Sequence, residues 1–364
     1  MISFILPTHN RPEILARTLG KLGELNGDAL PRGCEVLVVD NASDPPVAID
    51  GRSRNGLVVR TIRRASNEAA AGRNVAAREA QNPWLIMLDD DSYPLNEDFV
   101  HVLNDAEDEL AAIGAQILLP DGRREDGGLP EVFIGCGAAI RRDAFLAAGG
   151  YDPAFHYYGE EHDLAAKLII AGWRIVHDFR FHVRHEKTSG GRDMNLILQR
   201  LVRNTAWVAQ RYSPEPQRRT EIPRIIERYG RVAIRERAAG GFARGMAQLA
   251  TSLPAQHRLE MNDAQHDRFC GLAAVRESLC AAALNWEITK VRIIAQGKND
   301  WVVRQVLDEL GVETATANDE ADALVIGTIS PGPMMDALQR DHGQAKPILA
   351  PWSPRHSPAP VQTG

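Results

Sequence analysis

The chain has 364 residues, 44% hydrophobic and 25% charged, with 42 Lys and Arg against 48 Asp and Glu for a formal net charge of -6. That length leaves room for two or three domains with ample buried surface, and the charge balance excludes an overall pull toward nucleic acid. Four widely spaced cysteines without a CxxC pair read as reduced core thiols, and no window approaches the roughly 18 to 20 apolar residues of a membrane span, so a cytoplasmic protein is expected, any membrane contact being peripheral at the inner face.

In chain order, Ile2–Leu6 reads as a strand, Pro12–Leu25 as a helix, Glu35–Val39 and Val58–Ile62 as strands, Ala69–Glu79 as a helix and Trp84–Leu88 as a strand. This alternation predicts an α/β fold with a mainly parallel sheet. Three of the strands run into polar clusters: Pro7-Thr-His-Asn10, Asp40-Asn-Ala-Ser43 and Asp89-Asp-Asp-Ser92. Ligands of open parallel sheets sit at the carboxyl ends of strands, so the three clusters are expected to converge on one crevice. From Gly135 the pattern is irregular and glycine-rich. A helix over Glu160–Ala171 and the stretches Trp173–His177 and His182–His185 follow.

Between Arg192 and Arg244 stand twelve arginines against five carboxylates in a helical pattern. Such a face either packs, solvated, on its neighbour or lies on an anionic membrane. Segment Glu260–Asn285 reads as a helical connector. Val291–Ala295, Trp301–Leu310, Ala323–Ile326, Met334–Gln339 and Pro347–Leu349 then predict a small βαβαβ domain. Its first loop carries one glycine where a dinucleotide fingerprint needs three. The expected division is a catalytic domain over 1–212, a helical extension over 213–287, the small α/β domain over 288–352 and a loose proline-rich tail over 353–364.

Asp89-Asp90-Asp91 is the strongest chemical signal. Three adjacent carboxylates at a strand end repel one another unless a cation neutralises them, and hard oxygen ligands suit Mg²⁺ or Mn²⁺ bridging phosphate oxygens. A solvated acidic turn is the competing reading of the triplet alone.

Phe4-Ile-Leu-Pro-Thr-His-Asn-Arg-Pro-Glu13, Glu35-Val-Leu-Val-Val-Asp-Asn-Ala-Ser43, Asn67-Glu-Ala-Ala-Ala-Gly-Arg-Asn74 and Leu88-Asp-Asp-Asp91 resemble, in order, the motifs of family 2 glycosyltransferases, rhamnosyltransferase-like bacterial members among them. Gly149-Gly-Tyr-Asp-Pro-Ala-Phe155, Gly159-Glu-Glu-His-Asp-Leu164 and Gly172-Trp-Arg174 resemble that family's acceptor-side segment. The resemblance covers about residues 1 to 212. It implies a GT-A fold and an inverting transfer of sugar from a UDP- or dTDP-sugar to a hydroxyl of a glycan, lipid-linked intermediate or natural product.

By the same resemblance Asp91 binds the metal, Asp89 the metal or the donor ribose, Asp90 supports them, and His185 completes the coordination. Pro7, Thr8, Asn10, Asp40, Asn67 and Arg73 line the donor. Glu161 stands where the family has its catalytic carboxylate, with Glu160 second, since Glu-Glu here replaces the common Glu-Asp. Gly135, Cys136, Gly137, Tyr158 and Asp163 fall on the acceptor side, and Gly190, Gly191 and Arg192 in a lid loop. A nucleotidyltransferase would need a glycine-rich, Arg-containing loop after the first strand, which Pro-Thr-His-Asn-Arg-Pro is not. A non-catalytic sugar-nucleotide binder would have lost the acidic triplet or the base, and both are present. Association between chains stays open.

Overall fold

The computed structural model describes residues 1–49, 51–187, 193–318 and 320–357. β1 (Ile2–Thr8) is buried almost throughout because it lies between two other strands. α1 (Pro12–Leu22) starts on Pro12, whose missing N–H costs nothing in a first turn, and turns Leu15, Thr18 and Leu22 to the sheet. It stops short of the predicted Leu25, capped by Gly23. β2 (Glu35–Asp40), the short β3 (Gly51–Arg52) and β4 (Val58–Arg63) follow.

The segment expected as one helix from Ala69 opens instead as a 3₁₀ turn over Ala69–Gly72 before α2 (Arg73–Glu79). The tighter turn brings the backbone against the loop after β2: a Cβ on Gly72 would lie 2.6 Å from Asn41 Oδ1. β5 (Trp84–Met87) closes the part whose pattern was plain. Periodicity assigned nothing to β6 (Ser92–Pro94), α3 (Asp98–Asn104), β7 (Leu110–Leu118), β8 (Ala138–Arg141) and α4 (Arg142–Ala147). α5 (Glu160–Ile170) leads into β9 (Arg174–His185), one long strand where two stretches were expected.

These strands form a nine-stranded sheet in the order β3-β4-β2-β1-β5-β8-β7-β9-β6. β4, β2, β1 and β5 are mutually parallel, as are β7 and β9, so most residue pairs are parallel, while β8 runs against both its neighbours and β6 against β9. The antiparallel pairing of β6 sets Ser92 opposite His185, which brings the end of β9 to the loop after β5.

The basic region forms α6 (Met194–Tyr212), α7 (Glu215–Arg235) and α8 (Ala239–Ser252). Many of its arginines are engaged within the molecule: Arg218 and Arg219 pair with Glu215, Arg231 with Glu227, and Arg200 and Arg203 lie over Tyr157 and Trp207. The connector is two helices, α9 (Asp263–Cys270) and α10 (Leu272–Trp286), split where Gly271 turns left-handed at φ +91°. No helix among the described residues is long and apolar enough to cross a membrane.

β10 (Lys290–Ile294), α11 (Asp300–Glu309), β11 (Glu313–Thr314), β12 (Ala323–Ile326), α12 (Pro331–Asp341) and β13 (Ile348–Leu349) make the second α/β unit, a parallel sheet in the order β11-β10-β12-β13. It shares a hydrophobic core with the large sheet: one cluster runs from Leu85, Ala112 and Val132 through Leu272, Val275 and Leu279 to Val291, Val302 and Ile326. Residues 353–357, expected to be loose, lie along β9. There the Arg355 amide donates to His177 O, Phe179 donates to Arg355 O, and His356 pairs with Asp178 at 2.9 Å.

Candidate functional site

β1, β2 and β5 are parallel neighbours, so their carboxyl ends share one edge of the sheet. Thr8 is the register partner of Asp40, and Ile5 of Met87, two residues before the acidic triplet. Asp40 is fully buried. Burial would raise its pKa, but bonds from the Ser43 hydroxyl and amide, Arg63 and the Val47 amide outweigh it and hold the carboxyl below its ordinary value. Asn10, at φ +54°, donates its amide to Ser43 Oγ at 2.9 Å and accepts at its Oδ1 from the Asp44 amide at 2.8 Å, tying the loop after β1 to the loop after β2. Pro7 is partly buried at the end of β1, and Asn67 accepts from the Ala69 amide, shaping the 3₁₀ turn.

The triplet divides into three environments. Asp89 faces Arg73, whose Nη2 donates to its Oδ1 at 2.5 Å and to Leu88 O at 2.8 Å. Asp90 points the other way, accepting from Thr8 Oγ1 at 2.7 Å and Arg11 Nη1 at 2.5 Å. Burial raises its pKa to about 6 against those two partners. Asp91 accepts from Arg11 Nη2 at 2.8 Å and lies 3.4 Å from His185 Nε2. His185 and Arg11 overcome its burial and hold it at about 2. Ser92 Oγ, bonded to the Asp89 amide and to Cys136 O, fastens the loop to the segment before β8.

His185 closes the group. Its Nδ1 lies 2.8 Å from Glu125 Oε2 and 3.6 Å from Cys136 Sγ. Burial would lower the imidazole's pKa, yet Asp91, Cys136 and Glu125 together raise it well above its ordinary value. Asp89, Cys136 and His185 present ligand atoms within 4.8 Å of one another. Carboxylate and imidazole suit Mn²⁺ or Mg²⁺, the imidazole once it gives up the proton that Asp91 and Glu125 favour, whereas burial pushes the Cys136 thiol up to about 11 and keeps it protonated. The donor set therefore fits a divalent cation through Asp89, His185 and the neighbouring Asp91, with Arg11 competing for the last.

Facing the triplet is the start of α5, entered through Gly159 at φ +95°. Glu160 is buried and its Oε2 has no hydrogen-bond partner among the described residues. Its pKa is raised well above the carboxylate range, first by burial and next by the charge of Glu161. Glu161, also raised by burial, accepts from the Gly135 amide at 3.3 Å. Tyr151 lies beside them with a buried hydroxyl that has no partner among the described residues. Asn204 holds the loop leading to this corner: its Nδ2 reaches Phe155 O at 3.0 Å, Tyr157 O at 2.9 Å and Tyr158 O at 2.7 Å.

The structure thus brings together Thr8, Arg73, the triplet, Cys136, His185, Glu160 and Glu161. Gly137 supports from behind, its position packed against Ile117, and Tyr158 is exposed on the loop before α5. Asp163 is placed otherwise than the acceptor side suggests: it is fully buried between Arg211, Tyr212 and Lys167 and anchors α5 to α6. Gly190, Gly191 and Arg192 lie outside the described residues. Arg11 and Glu125 were not foreseen. Arg11 sits within the Pro7–Pro12 loop and could have been flagged beside the acidic triplet, whereas Glu125 belongs to a segment with no periodic signal.

Residues 3–126 match the sequence model of glycosyl transferase family 2. An uncharacterized glycosyltransferase of Haemophilus influenzae is 27% identical over 199 residues. The match covers 46% of this chain and 62% of that protein, so the chain spans less than two thirds of the relative's length. Among solved structures, mannosyltransferase PcManGT from Pyrobaculum calidifontis, in complex with GDP-Man and Mn²⁺, superposes with a TM-score of 0.44 at 18% identity, covering 78% of this chain and 80% of that one. GalNAc-T7 with UDP, GalNAc and Mn²⁺ gives 0.46 at 16% identity over 71% and 58%.

Proposed function

We infer that this chain, whose residues 3–126 belong to glycosyl transferase family 2, moves a hexosyl or deoxyhexosyl group from a UDP- or dTDP-sugar to an acceptor hydroxyl with inversion at the anomeric carbon. The observation that carries the reading is the opposition of two groups across one crevice. Asp89, Asp91 and His185 stand at the carboxyl ends of β5 and β9 with Arg73 reaching in from the start of α2, and the buried Glu160 and half-buried Glu161 stand opposite them.

The first group suits a leaving diphosphate. Arg73 is buried, and its fork of donors matches phosphate oxygens. A divalent cation held by Asp89, Asp91 and His185 would supply Lewis-acid charge to the same oxygens. Asp40, with both oxygens filled by loop donors, shapes the floor under the nucleotide. The second group suits the proton. As the acceptor oxygen bonds to the anomeric carbon and the bond to the diphosphate oxygen breaks, the hydroxyl proton passes to a carboxylate whose raised pKa makes it a better base near neutrality. Glu161, fixed by the Gly135 amide, is assigned that role, with Glu160 beside it to raise its proton affinity. Catalysis is assigned to residues 1–212, and 213–287 to buttressing α5.

Calorimetric titration of UDP, dTDP, GDP and CMP, each with and without Mn²⁺, into the native chain and Asp91→Ala tests the donor side. Metal-dependent binding of UDP or dTDP, lost in the variant, is expected. Binding of none would overturn the reading. Proton NMR of the product fixes the anomeric configuration, and retention would overturn the inverting assignment.

A further inference from the structure

The second α/β unit contains a cleft that the transfer chemistry does not use. It encloses about 470 Å³, within the roughly 300–1,000 Å³ typical of small-molecule sites. One wall is Asp126 and Gly127 of the catalytic part, and the other is formed by the loops after β10 and β12 and the start of α12. In the order β11-β10-β12-β13 the chain leaves β10 toward β11 on one side and continues through β12 on the other. The crevice between the carboxyl ends of β10 and β12 is therefore the switch point of this sheet, where open α/β sheets hold ligands.

The lining has a definite chemistry. Lys298 makes no hydrogen bond or ion pair among the described residues. Its ammonium is exposed at the cleft wall and open to an anion there. Arg340 lines the same cleft from α12, exposed and paired with its neighbour Asp341 at 2.7 Å, a surface pair that a phosphate can displace. Thr328 and Ser330 add hydroxyls, and the Ser330 side chain leaves the α12 amides uncapped although Ser330 occupies the N-cap. Pro331 and Pro333 remove two amides from that helix start, so the attraction for an anion comes from the two side-chain cations. The loops meet closely: a Cβ on Gly297 would lie 2.7 Å from Thr328 Oγ1. With one glycine in Ala295-Gln-Gly-Lys-Asn299 there is no cradle for a pyrophosphate. Asp126, opposite the cations, suits a sugar hydroxyl.

We propose that this cleft binds a phosphomonoester of a hydroxylated small molecule, its phosphate on Lys298 and Arg340 and a hydroxyl on Asp126. The site is separate from the donor crevice and stands whether or not the transferase reading does.

The test is calorimetry on the full chain in EDTA, which removes divalent cations, with UMP, AMP, glucose 1-phosphate and inorganic phosphate as probes. At least one ester is expected to bind. Lys298→Gln and Arg340→Gln should each weaken it by about tenfold or more, and Asp89→Asn should leave it unchanged. Arg340 is on an exposed helix face, so its variant reports even where Lys298→Gln disturbs folding. Preference for UMP or AMP identifies a nucleotide ligand, and preference for glucose 1-phosphate a sugar phosphate. Either supports the proposal. Absence of binding at millimolar ester, binding retained in both cleft variants, loss in Asp89→Asn, or inorganic phosphate binding as well as any ester would overturn it.

Discussion

Replacing the glutamates at the start of α5 separates their chemistry from their cost. Both carboxyls have pKa values raised by burial, and Glu160 has an oxygen with no partner. A carboxylic acid whose pKa is higher folded than unfolded adds stability at pH below its unfolded value. That contribution is lost as pH rises through the folded value. At neutral pH the pair therefore weighs against folding. Glu160→Gln removes the ionisable group and with it this pH-dependent penalty, and the relief expected is about 1.4 kcal/mol for each unit by which the assay pH exceeds the unfolded pKa, up to the folded value.

Activity should move the other way. Loss of a general base costs ~10²–10⁴-fold, or about 3–5 kcal/mol of transition-state stabilisation. Glu161→Gln should show that loss in kcat with nucleotide binding retained. Glu160→Gln should show a smaller loss together with a downward shift of the acidic limb of the kcat/KM profile, because Glu161 no longer has a like charge beside it. Initial rates of nucleotide release from pH 5 to 9, with urea unfolding at pH 7.5, measure both. The reasoning is refuted if Glu161→Gln keeps native kcat, or if neither variant gains stability.

Three further outcomes follow from the packing. Gly114→Ala would set a Cβ 2.5 Å from His177 Nδ1 in the middle of the sheet, and a loss of about 1–3 kcal/mol is expected in the urea midpoint. His177 itself, buried and bonded to Leu129 O at 2.9 Å, has its pKa lowered to about 4 by desolvation. Its contribution is full above the unfolded value of 6.5 and is lost as pH falls toward 4, amounting to as much as about 3 kcal/mol. His177→Gln should flatten the stability curve over that window, and an unchanged slope would assign the acid sensitivity elsewhere. Asn204→Ala frees three carbonyls of the loop before α5, costing about 1–3 kcal/mol. It should raise the acceptor KM more than the donor KM, and equal changes would count against a positioning role.

The crevice at the ends of β1, β2 and β5 was legible because its information is local. β1, β2 and β5 each announce themselves by a β-rich apolar run, and parallel pairing sends the residues after them to one edge. The strands in between were not legible, for reasons of burial. β7 is enclosed on nearly every residue, so Leu110–Leu118 shows no alternation, and β6 is three residues long. Asp163 reads in sequence either as an acceptor-side residue or as a support of its helix, because an acidic residue in a first turn looks the same whether it faces a ligand or, as here, Arg211 and Tyr212 of a helix more than forty residues on.

Glu125 shows where local reading ends. Nothing in Pro120–Gly128 marks it, yet it neutralises His185 and pairs with Lys187. Its place is set from the far end of the chain: Arg124 binds Asp336 of α12 at 2.6 Å, and Gly332 lies so near that a Cβ there would be 2.3 Å from Glu125 O. The carboxylate that tunes the histidine opposite the acidic triplet is thus held by the second α/β unit, and its neighbour Asp126 forms a wall of that unit's cleft. A residue placed by β7 through its amide on Ile117 O and, through its neighbour Arg124, by a contact 212 positions away carries no signature in its own neighbourhood. For the same reason, the second α/β unit belongs to the surroundings of His185 as well as to its own crevice.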